Sequence, residues 1–103
     1  MLELLTVTAR FELGYGLAVA PDFPVPQGWE ARDETVTVVL PGGKRREAKA
    51  ILSVAHINIA DHAASVDRRW RLLVSFPTLR KGDLPLGSMV MGSRSLVAAV
   101  RAP

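Results

Sequence analysis

Residues 70–93 constrain the fold of this chain more than any other segment does. They place an apolar run from Trp70 to Phe76 before Pro77, a basic turn at residues 80–83 and a second short apolar run that ends at Met91. Short apolar runs separated by proline and glycine are typical of strands joined by turns. This layout favours the closing segment of a small antiparallel β-barrel.

The first part of the chain has the two-residue period of a half-buried strand. Residues 3–13 alternate apolar and polar side chains, and the glycines at positions 14 and 16 interrupt the pattern before a short strand at residues 17–20. Period two over this length indicates one strand with a single apolar face. We expect that face to carry Leu5, Val7, Ala9, Phe11 and Leu13. Residues 21–33, with three prolines and Gly28, predict an extended loop pinned by Phe23, Val25 and Trp29.

The middle of the chain predicts a β-hairpin. Residues 34–40 alternate, residues 41–44 read Pro-Gly-Gly-Lys, and the returning strand covers residues 45–55. Glycine pairs between alternating strands are strong hairpin signals. The expected inward side chains are Val36, Val38, Leu40, Ala48, Ala50, Leu52 and Val54.

The last third completes an all-β fold. The pattern places Trp70, Leu72, Val74 and Phe76 inward, residues 84–91 as a returning segment and residues 95–100 as a final strand, with no long helix. If Trp70 lies in the core, Trp70→Ala costs about 3–5 kcal/mol of stability. With 103 residues, the chain has the length of one domain. We therefore expect residues 1–103 to form a single small antiparallel β-barrel.

Composition excludes several classes of protein. The chain has no cysteine, which excludes disulfides, thiolate metal sites and a cysteine nucleophile. Its first residues lack the basic start of a signal peptide, and no run approaches the ~18 apolar residues of a membrane span. We therefore expect a cytoplasmic protein without a membrane partner.

Charge is divided unevenly along the chain. Residues 1–43 hold two Lys or Arg against six Asp or Glu, a net charge of −4, and residues 44–103 hold eleven against four, a net charge of +7. A basic half permits an acidic partner such as nucleic acid. It equally permits pairing with the acidic half, because the two halves of a barrel touch.

Three segments resemble the second domain of elongation factor Tu, the small β-barrel that the translational GTPases share. They are the strand that ends in Gly14-Tyr15-Gly16, the hairpin of residues 36–54, and the closing segment of residues 72–90. The resemblance implies a barrel fold and a binding role, because GTP hydrolysis in that family belongs to a separate domain. The chain departs from the family at residues 21–29, where a proline-rich stretch replaces a glycine-rich hairpin.

The chain carries no motif for catalysis. Gly42, Gly43 and Lys44 are not a P-loop, because the glycine spacing and the Ser or Thr after the lysine are missing. No G-x-S-x-G elbow is present either. We expect no enzyme activity, no catalytic residue and no cofactor, and interpret the protein as a non-catalytic binding or interaction module.

Two alternatives to a plain interaction module stay open. An RNA- or ribosome-associated protein is favoured by two basic clusters that suit phosphate contacts: Lys44, Arg45, Arg46 and Lys49 in the hairpin, and Arg68, Arg69 and Arg71 around Trp70. A small metal protein or enzyme would use the loop of residues 56–67, which supplies His56, Asp61, His62 and Asp67 as nitrogen and oxygen donors. The spacing of that loop matches no metal motif, so we expect no metal.

The sequence also favours self-association. Val39, Ile51 and Leu73 have the parity of the outer face of the barrel, where a solvated sheet prefers polar residues. Two such patches meeting about a two-fold axis make a homodimer, the commonest closed assembly. The competing interpretation is that residues 21–29 fold over these side chains and leave a monomer.

We predict that the purified protein does not hydrolyse GTP or ATP, because it lacks a P-loop. The measurement is phosphate release under multiple-turnover conditions. Turnover of GTP that a single substitution in this chain abolishes would contradict the prediction, whereas turnover unaffected by such substitutions indicates a contaminant.

Overall fold

The computed structural model describes residues 1–14, 16–56 and 70–102. They form seven strands, one 3₁₀ turn and one α-helix. In chain order these are β1 (Leu2–Thr6), β2 (Ala9–Leu13), β3 (Gly16–Phe23), β4 (Arg32–Val39), β5 (Arg45–His56), β6 (Trp70–Phe76), the 3₁₀ turn (Lys81–Asp83), β7 (Met89–Gly92) and α1 (Arg94–Arg101).

The seven strands form one curled antiparallel sheet with the shape of a half-barrel. Its strand order is β1-β7-β4-β5-β6-β3-β2. Its concave face holds the apolar core, and α1 contributes three more buried side chains, Leu96, Val97 and Val100. The expected mostly-β architecture is confirmed.

The stretch expected to be one N-terminal strand is divided into two. β1 pairs with β7, whereas β2 pairs with β3 at the other edge of the sheet. Between them, the N–H of Val7 donates to the carbonyl of Ser88 (2.8 Å) and the N–H of Thr8 donates to the carbonyl of Ala20 (2.9 Å). Two consecutive residues therefore join the two edges, and this connection holds the sheet in its curled form.

The inward face predicted for residues 9–13 is wrong by one residue. Leu5 and Val7 are buried as expected, but Arg10 then pairs with the core residue Val19, and Phe11 pairs with Ala18, whose parity is opposite to that of Val19. Directly paired residues share a face, so Arg10 and Glu12 have inward parity. Phe11 is 52% exposed. The cause is the break between β1 and β2, which changes the phase of the alternation.

The central hairpin agrees with its prediction except at Val54, near the end of β5. Val36, Val38, Ala48, Ala50 and Leu52 are buried. The turn closes with hydrogen bonds of 2.8 Å from the N–H of Leu40 to the carbonyl of Lys44 and from the N–H of Gly43 to the carbonyl of Leu40. Leu40 is half-buried and Val54 is exposed.

The expected burial of Trp70 is also wrong. Leu72, Val74 and Phe76 are buried, but Trp70 is 46% exposed. It begins β6 opposite His56, in the last pair of the β5–β6 ladder, and the two rings meet edge to face with centroids 4.9 Å apart. Parity alone cannot detect that a strand extends beyond the core.

The final strand expected at residues 95–100 is a helix instead. The Oγ of Ser93 accepts a hydrogen bond from the N–H of Leu96 (3.0 Å), an N-cap that starts α1. Leu96, Val97 and Val100 are buried, and their spacing is that of one helix face. A side chain at Gly92 would come within 3.0 Å of Leu96, so the glycine lets α1 pack closely.

Two segments expected to be a loop and a strand also differ. β3 continues through Pro21 to Phe23, so the extended loop covers only the residues between β3 and β4. Phe23 and Trp29 pack against the core as expected, whereas Val25 is exposed. The returning segment at residues 84–91 contains only a short strand, β7.

We predict that Phe76→Ala destabilises the protein by about 3–5 kcal/mol, as truncation of a buried aromatic does. Trp70→Ala is expected to cost only about 1–2 kcal/mol, because half of its ring area stays in water. Urea unfolding of both variants measures the difference. Equal losses would show that Trp70 belongs to the core.

Candidate functional site

Two basic segments distant in sequence meet at one end of the barrel. The turn between β4 and β5 leads to Arg46, and the chain between β6 and β7 leads to Asp83. Nη1 of Arg46 lies 3.9 Å from Oδ1 of Asp83. Five exposed cations belong to these two segments, and we call them the cationic end: Lys44, Arg45, Arg46, Arg80 and Lys81.

Buried leucines anchor the second basic segment. Leu79 and Leu84 are 3% and 0% exposed, and the residues between them form the 3₁₀ turn. The N–H of Asp83 donates to the carbonyl of Arg80 (2.9 Å), and the N–H of Arg80 donates to Oδ2 of Asp83 (2.9 Å). Two apolar anchors and a self-bonded turn therefore direct Arg80 and Lys81 into solvent.

Two side chains of β2 with inward parity, those of Arg10 and Glu12, form hydrogen bonds with the backbone of this turn. Nη1 of Arg10 donates to the carbonyl of Lys81 (2.9 Å). The N–H of Lys81 donates to Oε1 of Glu12 (3.2 Å). The backbone N–H and carbonyl of Lys81 are therefore both hydrogen-bonded to charged side chains of β2.

A cavity of about 590 Å³ opens beside the turn. It lies between the β2–β3 connection and residues 77–80, and its lining includes Glu12, Gly16 and Arg80. Gly16 has φ of +147°, and a Cβ there would come within 2.6 Å of the carbonyl oxygen of Phe76. Only glycine lets the two backbones approach this closely, which defines one wall of the cavity.

Cations outnumber carboxylates at this end. Glu12 and Asp83 each accept a hydrogen bond from a backbone N–H, and Glu47 is exposed two residues after Arg45. Among the residues that the structure describes, the five exposed cations and Arg10 outnumber these three carboxylates, so the surface is positive. Such a surface attracts anions, and phosphates in particular suit exposed Arg and Lys.

The structure separates the two clusters predicted from the sequence. In the first, Lys44, Arg45 and Arg46 lie at the hairpin tip as expected, but Nζ of Lys49 lies 3.1 Å from Oδ2 of Asp33. In the second, Nε of Arg71 donates to Oδ2 of Asp22 (2.6 Å) near the start of β6. Arg68 and Arg69 lie outside the described residues.

Sequence reasoning missed Arg80 and Lys81 as site residues. Their basic turn is visible in the sequence, but nothing in the local pattern shows that it lies beside Arg46. That proximity follows from the strand order, which brings β4, β5 and the chain before β7 together.

The expectation of no metal at residues 56–67 stays a prediction, and the alternative of a metal site there stays open. His56 is exposed and packs against Trp70, while Asp61, His62 and Asp67 lie outside the described residues. In the part of the chain that the structure describes, no three His, Cys, Asp or Glu side chains are grouped to hold a metal. No helix within residues 1–14, 16–56 and 70–102 is long and apolar enough to cross a membrane.

No family model matches this chain, and no curated protein or solved structure matches it either. The geometry of the cationic end therefore carries the functional argument.

Proposed function

We propose that this protein is a non-catalytic binding module that contacts RNA through its cationic end. The contact between Arg46 and Asp83 (3.9 Å) carries the proposal, because it places the hairpin tip and the 3₁₀ turn side by side on one surface. A hairpin tip alone is an ordinary place for solvated Lys and Arg. A second basic segment beside it makes a surface wide enough for more than one phosphate.

The other contacts of the site support binding through phosphates. Arg80 and Lys81 extend from a turn whose backbone is hydrogen-bonded to β2, so the backbone positions of both residues are set before a ligand arrives. Preorganised groups lose less entropy on binding. Phosphate contacts release counterions and make binding depend on salt. They do not distinguish base sequences, so we propose a sequence-tolerant contact.

We also propose kinship of this barrel with the second domain of elongation factor Tu. The curled antiparallel sheet and the hairpin of β4 and β5 support that resemblance, and the split of the N-terminal stretch shows how such a sheet curls. A cytoplasmic location and an RNA-associated role fit this kinship.

We predict that the double variant Arg80→Gln/Lys81→Gln binds a fluorescent single-stranded oligouridylate more weakly than the unchanged protein. The slope of log affinity against log salt is expected to become shallower by about 1.4, since each lost contact to a single strand removes about 0.7. Fluorescence anisotropy at several salt concentrations measures both quantities.

The matched control is Arg94→Gln/Arg101→Gln. It removes the same charge from α1, which lies at the opposite end of the barrel: Ala99 and Ala102 border a cavity with Trp29 and Arg32, where β4 begins. The control is expected to keep the salt slope. Equal losses in the two variants would show that net charge alone attracts RNA, and no binding by the unchanged protein would refute the proposal.

A second proposal is self-association as a homodimer through the outer face of β2. Val39, Ile51 and Leu73, which suggested association from the sequence, are half-buried. Phe11 and Leu13 are instead exposed side by side on that face, at 52% and 38%. Exposed apolar side chains on one face favour a contact with a second copy.

We predict a dimer mass in light scattering that Phe11→Glu converts to a monomer mass, because a buried unpaired carboxylate opposes association. Leu86→Glu is the control, since Leu86 is equally exposed (54%) but lies in the chain between the 3₁₀ turn and β7. A monomer mass that persists as the protein concentration rises would refute association.

A further inference from the structure

Glu12 holds the backbone of the 3₁₀ turn from the neighbouring strand. Its Oε1 accepts a hydrogen bond from the N–H of Lys81 (3.2 Å), while Nη1 of Arg10 donates to the carbonyl of the same residue (2.9 Å). Arg10 also approaches the carbonyl of Leu84 at 3.5 Å. Lys81 is therefore fixed through both of its backbone polar groups.

We propose that Glu12 is a positioning residue for the cationic end: it sets the place from which Arg80 and Lys81 contact RNA phosphates. This inference rests on the proposed function. It assigns a role in anion binding to a carboxylate, which electrostatics alone would place among the groups that oppose binding.

The turn needs such support because its own hydrogen bonds are few. It is a 3₁₀ turn of three residues, and the hydrogen-bond geometry of 3₁₀ turns is poorer than that of α-helices. Leu79 and Leu84 anchor its two ends in the core, but Lys81 lies between them and is exposed. Without the bond to Glu12, we expect the N–H of Lys81 to exchange among water partners and the two cations to sample more positions.

Because Glu12 is negatively charged, the direction in which Glu12→Ala changes the affinity for RNA tests the inference. Removing an anion beside a cationic surface strengthens the attraction for RNA if only Coulomb forces act. Removing the acceptor that holds the turn weakens binding if the position of the turn matters. The two explanations therefore predict opposite changes for Glu12→Ala.

The test compares Glu12→Ala with Glu12→Gln and Glu47→Ala. Glu12→Gln removes the charge but keeps a carbonyl oxygen that accepts from Lys81. Glu47→Ala removes an exposed carboxylate near Arg45 on β5. Each variant is titrated with the oligouridylate over a range of salt concentrations, and the exchange of the Lys81 amide proton is followed by NMR without RNA.

Glu12→Ala is expected to weaken binding to the level of Arg80→Gln/Lys81→Gln, to make the salt slope shallower by about 1.4, and to accelerate exchange of the Lys81 amide. Glu12→Gln and Glu47→Ala are expected to bind as tightly as the unchanged protein or more tightly. Glu12→Ala added to Arg80→Gln/Lys81→Gln is expected to cause no further loss, because the cations that it positions are already gone.

Three results would overturn the inference. Tighter binding by Glu12→Ala would show that its charge outweighs its position. A further loss in the Arg80→Gln/Lys81→Gln background would show that Glu12 acts elsewhere. Unchanged exchange of the Lys81 amide in Glu12→Ala would show that the bond does not hold the turn, and this readout decides the point even if the unchanged protein fails to bind RNA.

Discussion

The fold depends on two consecutive hydrogen bonds near opposite edges of the sheet, which Val7 donates to Ser88 just before β7 and Thr8 donates to Ala20 in β3. An open antiparallel sheet leaves a row of unpaired N–H and C=O groups at each edge. Here the N-terminal stretch pairs with β7 before this point and with β3 after it, so one continuous piece of chain serves both edges. The sheet can then curl around its apolar face.

The same break decides which side chains face the interior. After it, Arg10 and Glu12 take the inward parity that an unbroken strand would have given to Phe11 and its neighbours. This exchange occurs where the core ends and the 3₁₀ turn begins, so the two charged side chains find backbone partners on Lys81. The displaced apolar side chains face outward. One change of phase therefore produces both the support of the cationic end and the apolar outer face.

The features that sequence predicted correctly depend on neighbours close in the chain. The hairpin of β4 and β5 follows from alternation and a Pro-Gly-Gly turn, which act within about ten residues. The errors have non-local causes: the phase of β2 depends on pairing with β3, and the exposure of Trp70 depends on where the core ends. The helix α1 had a local signal in Ser93 and the helical spacing of Leu96 and Val100, but over six residues two periods fit almost equally.

The candidate site shows the same division between local and non-local information. The hairpin tip was visible as a basic cluster, whereas its contact with the 3₁₀ turn depends on strand order.

The two kinds of bond at this site, the ion pair and the hydrogen bonds to the backbone, respond differently to salt. The exposed pair of Arg46 and Asp83 at 3.9 Å is weak and screened, but the bonds to the backbone of Lys81 need short-range geometry rather than long-range attraction. We therefore expect salt to weaken the proposed attraction for a polyanion, while the turn that carries Arg80 and Lys81 keeps its place.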